Sequence, residues 1–280
     1  MSQTNQSVDA SPLFRDPTAS VADRVADLLR QMTLDEKLAQ LGSSWVFQLA
    51  DGSGFDVNRA DPLLANGIGH VTRLCGATSF TTAAAARVAN QIQEHLRLHT
   101  RLGIPAIIHE EICSGLMARE ATVYPQALGV AATFRPEHNQ MLADSVRRHM
   151  RAIGTHQGLS PVLDVCRDPR WGRLEETYGE DPFLVSQMGL AFIRGLQGDT
   201  VDDLRTGVVA TAKHSVGYGA SEGGMNWAPP HLPPRTPGRV PPPVRGRRPR
   251  RGVGLGDERL QRARRSSLRR EPVVAHRPAA

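Results

Sequence analysis

The chain has 280 residues, 40% apolar and 22% charged, with a formal net charge of +6. That length supports one large domain or two small ones with a core of ordinary size, and no apolar run approaches the roughly 18 residues of a membrane-spanning helix, which excludes one. The charge is unevenly placed: residues 231–280 hold 14 Arg, no Lys and three acids (Asp257, Glu258, Glu271), a net of +11, whereas the first 230 residues carry a net of −5. A partner inferred from whole-chain charge would therefore be inferred from the tail alone.

Residues 1–11 are polar and expected to be disordered. The opening MSQTNQSVDASPLF has neither a basic start nor an apolar h-region, so a cytoplasmic location is expected. Ser20 then caps a helix in VADRVADLLRQM, where Val21, Val25, Leu28 and Leu29 recur at helical spacing. Thr33-Leu34-Asp35-Glu36 is a capping-box pattern opening the next helix. Trp45 and Phe47 are expected in the core. An Ala-rich helix is predicted over about Thr82–Leu98; its His95 and His99, one turn apart without a third ligand, read as a solvated face rather than a metal site. A short strand follows at Ala106–His109.

Pro136 suits the first turn of a helix running to about Arg151. A strand is predicted at Leu159–Val165, a helix at Pro182–Leu196 and a strand at Gly207–Ala212. This alternation argues for parallel βαβ units. Three widely spaced cysteines, Cys75, Cys113 and Cys166, read as buried reduced thiols. From about Pro229 periodicity disappears and Pro, Arg and Gly take over, with nine prolines in residues 231–280. Few large apolar groups remain there to offset ordering entropy, so the tail is expected to be disordered. Its GVGLGD stretch follows no strand and is discounted as a phosphate loop.

Polar clusters fall at three strand ends: His109 running into Glu110 and Glu111, Val165 running into the CRDPRWGR segment, and Ala212 running into Lys213 and His214. In a parallel α/β barrel the carboxyl ends of the strands open on one face, so these groups are expected to converge. Carboxylates, guanidinium groups, an ammonium and an imidazole suit a polyhydroxylated ligand, and Trp171 offers an apolar face to a sugar ring. Arg167, Asp168, Arg170, Glu175 and Glu180 read instead as a buried ion-pair network.

The segment DVCRDPRWGRLEETYGEDPFLVSQMGLAFIRGLQG, with GVVATAKHSVGYGASEGGMNWAP and IPAIIHEEICSG, resembles the first domain of glycoside hydrolase family 3. The likeness covers roughly residues 12–235. It implies an α/β fold, a (β/α)8 TIM-type barrel that is incomplete here, and a retaining, exo-acting hydrolase of β-glucosidase or β-xylosidase type. It implies no metal and no organic cofactor. The implied partner is a β-linked oligosaccharide or an aryl or alkyl β-glycoside; neither nucleic acid nor a membrane is expected. The implied substrate-binding residues are Glu111, Arg173, Lys213 and His214. Ser114 stands where many relatives have His.

After Arg235 the likeness stops. Relatives continue with segments such as F-E-A-A-V-R-E and M-N-A-Y-N-E-L-D-G. One encoding of the latter, G ATG AAC GCC TAC AAC GAG CTC GAC GG, reads one base early as Asp-Glu-Arg-Leu-Gln-Arg-Ala-Arg-Arg, which is Asp257 to Arg265. The same shift of the former gives Val244 to Arg250. A reading-frame change near Arg235–Thr236 is therefore expected, with residues 236–280 a foreign-frame tail. In the family the nucleophilic Asp and the acid/base follow the Lys-His pair at a greater distance than the 66 residues present after His214. Catalytic residues are then expected to be absent and this chain inactive. Two rival readings are a nucleic-acid-binding protein using the Arg-rich tail, which lacks interleaved aromatics for base stacking, and a non-catalytic carbohydrate-binding fragment.

Overall fold

The computed structural model describes residues 12–200, 202–214 and 217–229. The segments 1–11 and 230–280, and with them the expected disordered ends and the GVGLGD stretch, lie outside the described residues. The chain divides into two compact units. Of the described residues, one holds those through Tyr124 together with Arg148–Leu159; the other holds Pro125–Arg147 and those from Ser160 to Pro229. The helices and strands are α1 (Val21–Gln31), α2 (Leu34–Ala39), β1 (Ser43–Trp45), α3 (Val46–Leu49), β2 (Ala50–Asp51), β3 (Gly54–Phe55), α4 (Val57–Leu64), β4 (His70–Thr72), α5 (Thr82–His99), β5 (Ile107–Glu110), α6 (Ala127–Ala131), α7 (Pro136–Ala152), β6 (Gln157–Gly158), α8 (Pro182–Gln197) and β7 (Val209–Ala210).

In the first unit the helix starts follow the sequence. Ser20 Oγ accepts the Asp23 N–H at 3.2 Å. Thr33 and Glu36 close a full capping box, Thr33 Oγ1 accepting the Glu36 N–H and Glu36 Oε2 the Thr33 N–H. Glu36 is buried and also accepts from Arg101 Nε at 2.9 Å. That hydrogen bond holds its carboxyl below the ordinary carboxylate range.

The sheet of this unit is parallel, in the order β1, β4, β5, β6. Trp45 stands level with Thr72, and Thr72 with His109. Successive side chains of a strand point to opposite faces. One face, with Ser44, Val71, Ile108 and Glu110, is sealed. The other, with Trp45 and Ile107, stays about two-fifths exposed. The α5 helix lays down a buried stripe of Ala85, Val88, Ala89, Ile92, His95 and Leu96, spaced three and four apart.

Three expectations are corrected here. Trp45 and Phe47 are not core residues; they are 40% and 51% exposed because they fall at and just beyond the strand end. His95 is not on a solvated face. It lies on the buried stripe, 3.5 Å from Asp61 and stacked on His99 at 5.1 Å. Among the cysteines, Cys75 and Cys166 are buried, whereas Cys113 is only half-buried.

In the second unit, Val130, Leu163, Tyr178, Val185 and Met188 form a core cluster. Asn139 ties it together, donating from Nδ2 to Tyr178 Oη and to the Met188 carbonyl, both at 2.9 Å. Helix α8 starts at Pro182, with Asp181 accepting from Phe183 N–H at 3.0 Å and Leu184 N–H at 3.3 Å. The expected strand 159–165 is not a regular strand. Residues 160–163 run extended beside 211–213, with Thr211 N–H donating to Ser160 O and Leu163 N–H to Lys213 O. Pro161 has no N–H to contribute, so the ladder is interrupted there. The strand expected over 207–212 is likewise reduced to β7.

β2 and β3 pair antiparallel in a small sheet of their own, and the described strands do not close into a barrel. Among the described residues no helix is long and apolar enough to cross a membrane.

Gly195 tests the packing of the second unit. A Cβ there would stand 2.2 Å from the Gln140 carbonyl oxygen and 2.8 Å from Ala143 Cβ. Gly195→Ala is expected to lower stability by about 1–3 kcal/mol or more, read as a fall in Tm. Gly172→Ala, where nothing lies within 4 Å, is expected to leave Tm within a degree or two.

Candidate active site

Two polar clusters stand at strand ends, one in each unit. In the first, β5 delivers two consecutive acids. Glu110, the last strand residue, turns to the sealed face and is fully buried. Its carboxylate accepts the Cys75 N–H at 2.7 Å and the Gly76 N–H at 3.2 Å, pinning the loop after β4. Burial pushes its pKa up to about 7, against the pull of those N–H groups. Burial, then the neighbouring Glu110 charge, pushes the Cys75 thiol up to about 12, so this thiol is inert.

Glu111, the expected binding residue, faces elsewhere. Its Oε1 accepts from Arg73 Nη2 at 2.7 Å, and its side chain is 13% exposed. Arg73 follows β4 directly and has a positive φ of 54°. His109 shares a hydrogen bond with Thr72 at 3.1 Å through Nε2. Burial lowers its pKa. A cleft of about 320 Å³ opens beside this cluster, lined by Cys75, Gly76, Cys113, Ser114, Met117 and Arg119 among others.

The second unit brings together Arg173 and His214. Asp164, 3% exposed at its side chain, holds His214 twice: its Oδ2 lies 2.7 Å from Nδ1 and accepts the His214 backbone N–H at 3.0 Å. A carboxylate at Nδ1 requires the proton there, so Nε2 is the acceptor facing Arg173 Nη1 at 3.3 Å. Glu176 grips the other side of the guanidinium, accepting from Nε and Nη2, both at 2.6 Å. That pair raises the Arg173 pKa further above its usual value. Tyr218 closes the cluster, edge-on to the His214 ring at 4.7 Å and 5.5 Å from the Arg173 guanidinium carbon. Lys213 precedes His214, half-buried; its backbone takes part in the pairing with residues 161 and 163.

Two expectations for the WGR segment fail. Trp171 is 1% exposed and cannot stack on a ligand. It packs edge-on against Tyr218 at 5.3 Å, and its indole N–H donates to Asn226. Arg167, Arg170, Glu175 and Glu180 are exposed, not a buried network. Asp168 and Arg170 do pair at the surface, and that contact lowers the Asp168 pKa to about 2. The loop spends its apolar Trp on the core, which turns its charges outward. Sequence reasoning missed Asp164, Glu176, Tyr218 and Arg73. Only Asp164 left a signal, as the single acid closing the apolar run Pro161–Leu163.

Among the described residues no group of three His, Cys, Asp or Glu side chains is placed to hold a metal ion.

The family model of the glycosyl hydrolase family 3 N-terminal domain matches residues 33–236. The chain belongs to glycoside hydrolase family 3. It is 34% identical over 233 residues to a putative β-xylosidase of Formosa agariphila, covering 80% of this chain and 30% of that protein. A β-glucosidase structure from Erythrobacter marinus superposes with a TM-score of 0.72 at 37% identity, over 80% of this chain and 29% of that one. A mutant β-glucosidase of Listeria innocua in complex with laminaribiose gives a TM-score of 0.61 at 34% identity, over 74% and 28%. The chain thus spans about a third of the length of these family 3 relatives.

Glu110 yields a pH prediction. Its folded pKa, about 7, lies above the ordinary value of 4.5. Between those values the unfolded chain releases the proton first, so stability falls as pH rises through the window and levels off above about pH 7. The loss is on the order of 3 kcal/mol. Glu110→Gln keeps an acceptor for the Cys75 N–H and removes the titration; denaturant melts from pH 4 to 8 are expected to lose that slope.

Proposed function

We propose that this chain is the sugar-binding part of a retaining, exo-acting β-glycosidase of β-glucosidase or β-xylosidase type, built on a (β/α)8 TIM-type barrel. The observation that carries the reading is the Arg173–His214 pair, held from behind by Glu176 and Asp164. A guanidinium and an imidazole whose positions are fixed by carboxylates, that of Asp164 buried and that of Glu176 partly so, lose little freedom when they bind hydroxyls, and charge-assisted contacts of this kind are strong. They lie in the two motifs through which the chain resembles its family. Lys213 adds a cation next to His214. Glu111, oriented by Arg73, is the acceptor for sugar hydroxyls in the first unit. The ligand class is a β-linked oligosaccharide or an aryl or alkyl β-glycoside.

Retaining hydrolysis needs two carboxyl groups about 5–5.5 Å apart, a nucleophile and an acid/base. We assign neither role within the chain. The family match ends at residue 236, beside Arg235–Thr236, where the reading-frame change is proposed. Residues 236–280 are then foreign-frame sequence, and the chain binds sugar without turning it over.

Two experiments test this. Calorimetric titration of the full chain with glucose and xylose is expected to show binding that weakens about tenfold or more in Arg173→Ala, the cost of one charge-assisted hydrogen bond. No release of chromophore from an aryl β-glycoside is expected, and turnover that Lys213→Ala abolishes would overturn the inactive assignment. Separately, nucleotide sequence across codons 230–290 is expected to encode the F-E-A-A-V-R-E segment in a neighbouring frame; its absence from every frame would refute the shift.

A further inference from the structure

We propose that Cys75, Cys113 and Met117 form a three-sulfur site for a soft monovalent metal ion of the copper(I) or silver(I) class. None of these side chains enters the sugar reading. All three residues line the cleft of about 320 Å³ in the first unit. The sheet brings their segments together. Thr72 and His109 are register partners on the adjacent parallel strands β4 and β5, and such strands run about 4.8 Å apart. Cys75 comes three residues after the end of β4, and Cys113 three residues after the end of β5. The two loops therefore leave neighbouring strand ends. Glu110 ties them, since it ends β5 and accepts the Cys75 N–H at 2.7 Å.

Met117 is returned to the same place by its own turn. Its N–H donates to the Glu111 carbonyl at 3.0 Å. Its thioether lies against Gly76: a Cβ on that glycine would stand 3.3 Å from Met117 Sδ. The missing side chain at the residue after Cys75 thus leaves the room the sulfur uses. The three groups grade from inside to outside. Cys75 is 3% exposed, Cys113 half-buried and Met117 51% exposed, which gives an ion a path from solvent to the inner thiol. Soft thiolate and thioether sulfurs favour copper(I). A structural zinc site takes four ligands, and among the described residues not even three His, Cys, Asp or Glu side chains are so placed. The Cys75 thiol, inert as a nucleophile, still exchanges its proton for a soft ion. Each thiol releases one proton to solvent as its metal–sulfur bond forms. Two thiolates on one monovalent ion make an anionic group, and Arg119 on the cleft wall supplies the balancing charge.

The test uses the full chain, reduced and kept under argon, titrated with copper(I) against bicinchoninate as competitor. Silver(I) serves as a second probe and zinc(II) as the harder comparison. One copper(I) per chain is expected, with a sulfur-only shell in X-ray absorption. Cys75→Ser and Cys113→Ser are each expected to weaken binding about a hundredfold or more, the upper end of what loss of an outer-shell partner alone costs. Met117→Leu keeps the bulk and removes the sulfur, and is expected to weaken binding about tenfold. Cys166→Ser, in the second unit, is expected to leave it unchanged. Cys113→Ser and Met117→Leu alter side chains that solvent already reaches, and they carry the test if Cys75→Ser fails to fold. Equal losses from all three Cys→Ser variants assign the metal to independent thiols and overturn the site. Unchanged affinity in Met117→Leu, nitrogen or oxygen in the shell, zinc(II) held as tightly as copper(I), or no copper(I) won from the competitor overturns it as well.

Discussion

The first unit depends on how a strand divides two neighbouring acids. Alternation sends Glu110 into the sealed face and leaves Glu111 to the other side. A buried carboxylate is costly unless hydrogen-bonded, and Glu110 meets that requirement by taking the N–H groups of Cys75 and Gly76. The loop after β4 is thereby tied to the end of β5. Arg73 begins that loop, and Arg73 holds Glu111. Thus the acid that builds the site and the acid proposed to use it are adjacent in sequence and separate in role.

The second unit solves the same problem with a relay. Asp164 fixes the tautomer of His214, and Glu176 occupies two of the guanidinium nitrogens of Arg173. What remains between them is an imidazole acceptor facing a guanidinium donor. Both supporting carboxylates are largely shielded from water, which strengthens their hold on the imidazole and the guanidinium they orient. The aromatic edge of Tyr218 completes the enclosure, and Trp171 behind it is spent on packing.

Much of the fold was legible because it is local. The caps at Ser20 and Thr33, the Pro136 and Pro182 helix starts and the Ala-rich α5 all appear where short-range hydrogen bonding and spacing put them. The strands were less legible. Their pairing depends on partners far along the chain, and at Pro161 the missing N–H interrupts a run whose apolar pattern still reads as strand. Exposure was the weakest inference. Trp45 and Phe47 look like core, and His95 looks like surface, because composition carries no information about which side of an element meets a neighbour.

The sequence by itself determined the starts of the capped and proline-led helices, the family and the four residues proposed to meet the sugar. Those are properties of short windows and of motifs read in order. Only the tertiary structure decided that Asp164 and Glu176 support His214 and Arg173, that Glu110 is fully buried while Glu111 is held by Arg73, and that Trp171 is unavailable while Trp45 is open. Each of these is a contact between residues brought together by packing or a choice of face, and a linear pattern records neither.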